Sequence, residues 1–153
     1  TLVGLGTRVA KEDFAHAGTL MHRILSQIET LDRIDDTIAA FVRSGELSES
    51  ESKSIREDIN RWLADERVSS WFSPEVNVWT EREILQPDGS FYRPDRVVET
   101  DNEVIVVDYK FGNVERASYK RQVNTYASLI EKMGYDRVSG FIWYVSLGKL
   151  ERV

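Results

Sequence analysis

The chain has 153 residues, 41% of them hydrophobic and 30% charged, with a formal net charge of -6. That size and balance suit one domain with a single sizeable core and exclude a disordered chain. Cysteine is absent, which removes disulfides, thiol catalysis, zinc-thiolate sites and cysteine-held clusters, and no apolar run approaches the roughly 18 residues of a membrane span. No signal-peptide pattern opens the chain, and a reducing cytoplasm is the expected location. The overall charge argues against a nucleic-acid partner, but it is unevenly placed. Residues 29–66 hold 11 acidic and 5 basic residues, leaving 15 of each elsewhere. The acidity therefore reads as one solvated helical segment away from any site, and the remainder can carry a basic face.

The chain begins with Thr1, so it is expected to be a piece of a longer protein. Gly18-Thr19 open a helical pattern in which Leu20, Met21, Ile24, Leu25, Ile28 and Leu31 share one arc. A second helix is expected from Asp32 to Arg43, with Gly45 as its stop. Ser48 followed by Glu51 is a capping-box pair, and Ile55, Ile59, Trp62 and Leu63 give a third helix its apolar face.

After Pro74 the period changes. Val76, Val78 and Thr80 alternate with polar neighbours as a strand does, and Gln86-Pro87-Asp88-Gly89 is a turn. A second strand is expected over 91–99, a two-residue turn at Asp101-Asn102, and a third strand over 103–110. Gly112 ends that strand. A helix over 117–133, stopped by Gly134, and a last strand over 137–145 complete a mixed α/β domain with a central sheet.

The two turns set a register. If Asp101-Asn102 is a two-residue turn, Asp95 lies opposite Asp108 and Arg93 opposite Lys110. If Pro87-Asp88-Gly89 is a three-residue loop, Glu81 lies beside Asp95 and Glu83 beside Arg93. Glu81, Glu83, Asp95, Asp108 and Lys110 then share one face. Like charges side by side on a sheet repel. Either a hard divalent cation such as Mg²⁺, Ca²⁺ or Mn²⁺ offsets them, or they spread over a solvated face. Lys110 would orient a metal-bound water or meet a phosphate, or else it simply snorkels to solvent.

His22 sits about 60° beyond Leu25 on its helix, at the edge of the apolar arc. From position alone it reads as a packed side chain sooner than a ligand. Tyr119, Gln122, Val123, Tyr126 and Ile130 share a helix face. Gln122 and Tyr126, one turn apart, can present polar tips together. Lys110, Arg116, Lys120 and Arg121 cluster near the start of that helix with only Glu115 against them. Interleaved with Tyr109 and Tyr119, they suit a phosphate backbone.

Gly18-Thr19-Leu20-Met21-His22, Glu81-Arg82-Glu83, Arg93-Pro94-Asp95-Arg96-Val97-Val98, Val107-Asp108-Tyr109-Lys110 and the Gln-x-x-x-Tyr of Gln122 and Tyr126 occur in that order. Together they resemble the RecB/AddA-type nuclease domain of the PD-(D/E)XK superfamily over about residues 17–146. The resemblance implies a restriction-endonuclease-like mixed sheet flanked by helices, in one domain over 1–153 excised from a superfamily-1 helicase-nuclease of DNA recombination and repair. It implies a metal-dependent DNA exonuclease, with His22, Asp95, Asp108 and the Tyr109 carbonyl as Mg²⁺ or Mn²⁺ ligands and Lys110 as the catalytic lysine. Glu81, with Glu83 as a close rival, matches the family glutamate, and Gln122 and Tyr126 support the site or touch DNA. Single-stranded DNA would run past Arg93, Arg116, Lys120 and Arg121, delivered by the helicase portion, where alone ATP would bind. The branch of the family with a four-cysteine iron–sulfur cluster is excluded. The rival reading is an inactivated nuclease fold that binds DNA or docks.

Overall fold

A computed structural model describes residues 19–79, 84–85, 91–112 and 114–153, with 84–85 and 91–92 described by backbone alone. Helix α1 (19–27) and the residue just past it bury Leu20, Ile24, Leu25 and Ile28. The arc ends sooner than the periodicity predicts. Thr30 is extended, its hydroxyl donates to the Asp32 carboxylate, and Leu31–Arg33 form a separate 3-10 turn. A short polar side chain that bonds locally competes with helix continuation. Leu31 is 39% exposed as a result.

Helix α2 (Ile34–Arg43) therefore begins at Ile34, not Asp32, and Gly45 at φ 80° follows its end. Helix α3 (Glu49–Leu63) carries the expected capping box. The Glu51 N–H donates to Ser48 Oγ at 3.1 Å, and the Ser48 N–H donates to Glu51 Oε1 at 3.3 Å. A short helix α4 (Glu66–Ser69), capped by Asp65, was not foreseen.

The strands are β1 (Asn77–Trp79), β2 (Ile84–Leu85), β3 (Phe91–Tyr92), β4 (Arg96–Glu99), β5 (Val104–Lys110), β6 (Val138–Tyr144) and β7 (Lys149–Arg152). Five of them form one sheet in the order β1-β4-β5-β6-β7, and β2 pairs with β3. Among the described residues only β5 and β6 pair in parallel, as a crossover through α5 (Ala117–Lys132) requires. The antiparallel edge strand β7 was missed: Lys149-Leu150-Glu151-Arg152 is short and highly charged.

The hairpin count holds. Asn77 lies opposite Glu99 and Ile84 opposite Tyr92, so both outer ladders keep the expected register. Arg96 lies opposite Val107, and the Thr100 N–H donates to the Glu103 carbonyl at 2.9 Å. The expected continuous strand over 91–99 is instead broken at Arg93-Pro94-Asp95. Proline lacks an N–H and restricts the residue before it, so the ladder stops. Arg93, exposed, is thus not the ladder partner of Lys110.

Side-chain alternation divides the core in two. Val98, Ile105, Val107 and Tyr109 face the layer of α1, α2 and α3. Val97, Val104 and Val106 face α5 and pack with Val123, Tyr126 and Ile130. At Gly140 in β6 a Cβ would stand 2.6 Å from Val123 Cγ1, so glycine is what lets α5 approach the sheet.

Candidate active site

Asp108 and Lys110 have the parity of Val104 and Val106 in β5, so alternation puts them on the α5 side of the sheet, while Asp95 stands at the break just before β4. The break at Pro94 gives the two aspartates their bonding. The Asp95 N–H donates to Asp108 Oδ1 at 3.1 Å, and the Tyr109 N–H donates to Asp95 Oδ2 at 2.8 Å. Side chains thus take the donors that a continued ladder would have given to carbonyls. These two bonds, and not a shared cation alone, make the adjacent carboxylates tolerable.

His22 reaches the pair from α1. Its Nε2 is 2.8 Å from Asp95 Oδ1, with the imidazole 38% exposed and Asp95 14%. The hydrogen bond to Asp95 is the main cause that raises the His22 pKa above its ordinary value. Burial and the Lys110 charge oppose it, while the Asp95 and Asp108 charges reinforce it. The ring stands edge-on to Tyr109 and Phe111, at 6.3 and 6.5 Å between centroids. His22 is therefore a polar group at the site's rim and not merely a packed side chain.

Arg96, next to Asp95, points the other way. It is 3% exposed. Nε donates to the Trp71 carbonyl at 3.0 Å, Nη1 to Ile28 at 2.9 Å and Nη2 to Glu29. Its guanidinium lies 4.0 Å from the centre of the Phe72 ring. It caps the chain leaving α1, where helix carbonyls carry partial negative charge. That fastens the helix bearing His22 to the strand next to Asp95. In the sequence Arg96 is one residue of the Arg93-to-Val98 motif, with nothing beside it to mark this role. The buried Tyr109 hydroxyl lies close to this guanidinium, and burial pushes its pKa well above the ordinary phenol value.

A cavity of about 560 Å³ opens beside the pair, lined among others by His22, Glu29, Trp79, Arg93, Asp95 and Tyr126. Glu29 thus brings the acidic segment to the site, and Trp62 of α3 packs on Phe111 at 5.8 Å. The expectation that 29–66 lies wholly away from it is corrected: the segment's apolar residues share the core beneath the site.

On α5, Val123, Tyr126 and Ile130 are buried, and Tyr119 and Gln122 are half-buried. Arg116 and Arg121 are exposed. Lys120 is not an unopposed cation: it pairs with Glu151 of β7 at 2.6 Å, and Glu115 pairs with Lys149. The unforeseen strand β7 supplied both missing partners. Glu81 and Glu83 lie outside the described residues.

The donors expected to hold a metal, an imidazole and two carboxylates, have suitable chemistry for a hard divalent ion. Their arrangement is a different matter. Among the described residues no three His, Asp or Glu side chains gather into a group that could hold one. His22 Nε2 and Asp95 Oδ1 are bonded to each other, and Asp108 Oδ1 takes the Asp95 N–H. The expected ligand set is adjacent but not convergent.

A mixed sheet flanked by helices, with two aspartates and a lysine where β4 and β5 part, defines a restriction-endonuclease-like domain. The chain matches the PD-(D/E)XK nuclease superfamily over residues 2–153 and belongs to it. Members of that superfamily are generally nucleases acting on DNA, and they typically use divalent metals. No curated protein matches the chain. Among the described residues no helix is long and apolar enough to cross a membrane.

Proposed function

We propose that the domain hydrolyses DNA phosphodiester bonds with a divalent metal, as the exonuclease portion of a RecB/AddA-type helicase-nuclease working in recombination and repair. The observation that carries the reading is the hydrogen-bonded group of His22, Asp95 and Asp108, with Lys110 two residues beyond Asp108 in β5. His22, Asp95, Asp108 and the Tyr109 carbonyl are the residues that would hold Mg²⁺ or Mn²⁺. A bound ion would supply Lewis acidity and a more acidic water. The two backbone N–H bonds fix Asp95 and Asp108 side by side, and holding an ion would require the His22–Asp95 bond to give way. Lys110 presents a positive charge where negative charge develops on phosphate, or orients the attacking water. Glu81, with Glu83 as rival, Gln122 and Tyr126 complete the reading. Exposed Arg93, Arg116 and Arg121, together with Lys120, are the contacts proposed for a single DNA strand fed from the helicase portion.

The test is digestion of labelled single-stranded DNA with Mg²⁺ or Mn²⁺. Asp108→Ala and Lys110→Ala should each lower the rate by about 10²-fold or more. Activity that survives both substitutions would overturn the reading. Exonuclease action predicts that circular single strands resist while linear ones are degraded.

A second reading, an inactive nuclease fold that binds DNA or docks, draws on the His22–Asp95 bond, which engages atoms a metal would need. Calorimetric titration with Mn²⁺ separates the two. Heat of binding that disappears in Asp95→Ala supports the nuclease, and absence of heat in the wild type supports the inactive module.

A further inference from the structure

Lys110 differs from the neighbouring lysines in how its charge is held. Lys120 pairs with the Glu151 carboxylate at 2.6 Å, and Lys149 pairs with Glu115. Lys110 has no ion pair among the described residues; its Nζ stands 4.1 Å from the centre of the Tyr119 ring. Tyr119 belongs to the first turn of α5, is half-buried, and packs against the core of Val104, Val106 and Tyr126. The core thus supports the ring while the ring meets the ammonium.

We propose that Tyr119 is the positioning residue for Lys110, a role that rests on the nuclease reading above. A carboxylate in that place would hold the ammonium equally well and cancel its charge. An aromatic ring attracts a cation through its quadrupole and carries no net charge. Tyr119 therefore restrains a flexible four-carbon side chain and leaves the whole positive charge for a phosphate oxygen. Lys110 also acts electrostatically on His22, so the restrained ammonium lies within range of the His22–Asp95 pair. The ring performs this function and the hydroxyl does not, so phenylalanine should serve as well.

The experiment measures metal-dependent cleavage by the full chain carrying Tyr119→Leu or Tyr119→Phe, each with Lys110 intact and with Lys110→Ala. Tyr119→Leu should lower kcat about tenfold, the scale of a cation–π contact, with KM little changed. Tyr119→Phe should stay within about twofold. In the Lys110→Ala background neither substitution should add a further loss, since the cycle isolates the pair. An unchanged kcat in Tyr119→Leu, or an equal loss with and without Lys110, would overturn the proposal. A readout independent of activity separates this from failure of the nuclease reading. Ring current should shift the Lys110 ε-methylene protons upfield in the wild type and in Tyr119→Phe, and not in Tyr119→Leu. A wild-type resonance at its ordinary position removes the contact itself. A wild type that shows the shift and cleaves no DNA removes the nuclease reading, and the positioning role with it, while the contact stands.

Discussion

On the face of the sheet under α1 to α3, β4 buries Arg96, and its guanidinium is committed to the carbonyls of Ile28, Glu29 and Trp71. One residue earlier, facing the site, Asp95 accepts from the Tyr109 N–H and bonds a partly exposed imidazole beside a cavity. Both faces take charge out of water, but only one closes around it. A cation buried against three fixed carbonyls is committed to the frame. A carboxylate held by backbone at one oxygen and by a rim histidine at the other can exchange the second partner. Adjacent residues of one motif thus divide between holding the frame and meeting the substrate.

The largest expected effect tests the closed face. Arg96→Met removes three donors and leaves their carbonyls facing the core. Each orphaned acceptor costs about 1–3 kcal/mol, and relief from burying a cation offsets part of this, so a loss on the order of 3–5 kcal/mol is expected. Urea unfolding measures it through a lower midpoint at an unchanged slope. A loss below about 1 kcal/mol would mean that Arg96 is not the clamp its bonds suggest.

Gly140→Ala tests the packing of the open face. Its Cβ would meet Val123 Cγ1 at 2.6 Å, and Val123 is fully buried on α5. A β-branched neighbour has little rotamer freedom, so the helix must shift. A destabilisation of about 1–3 kcal/mol is expected, again from the unfolding midpoint. Because α5 carries Tyr119, the substitution should also impair cleavage, whereas Val123→Ala combined with Gly140→Ala should restore part of both.

Much of this division was legible from counting. The length of the Asp101-Asn102 turn gave the register that sets Asp95 against Asp108, and side-chain alternation put Lys110 on the same face as Asp108. The turn residues and β-branched runs are local signals, and local signals carry across a hairpin. Arg96 was not legible as a clamp, because its acceptors are backbone atoms: Ile28 and Glu29 in the loop after α1 and Trp71 in the 3-10 turn Ser70–Phe72. No side-chain pattern marks them. Lys120 was misjudged for a related reason: its partner Glu151 is distant in sequence and lies on a four-residue edge strand. Even the break at Arg93-Pro94-Asp95 had a visible cause in Pro94. Its consequence, carboxylates replacing ladder acceptors, becomes apparent only when both strands are in place.

The smallest expected effect lies at the boundary between the faces, where His22 on α1 meets Asp95 on β4. Its pKa is raised, chiefly by the bond to Asp95. The unfolded chain has the ordinary value of about 6.5. A group whose folded pKa is the higher binds its proton more tightly when folded, so its contribution is fully present below about pH 6.5. That contribution is lost as pH rises through the folded value. Because the imidazole is 38% exposed, solvent screens the pair, and the effect should stay below about 1 kcal/mol. In metal-free protein, NMR titration of His22 should give a midpoint above the ordinary value, and Asp95→Asn should lower it. Stability of the wild type should fall slightly across the same interval, and that slope should flatten in Asp95→Asn. A midpoint at or below the ordinary value would show that burial and the Lys110 charge outweigh the Asp95 bond, and that His22 is not fastened to Asp95.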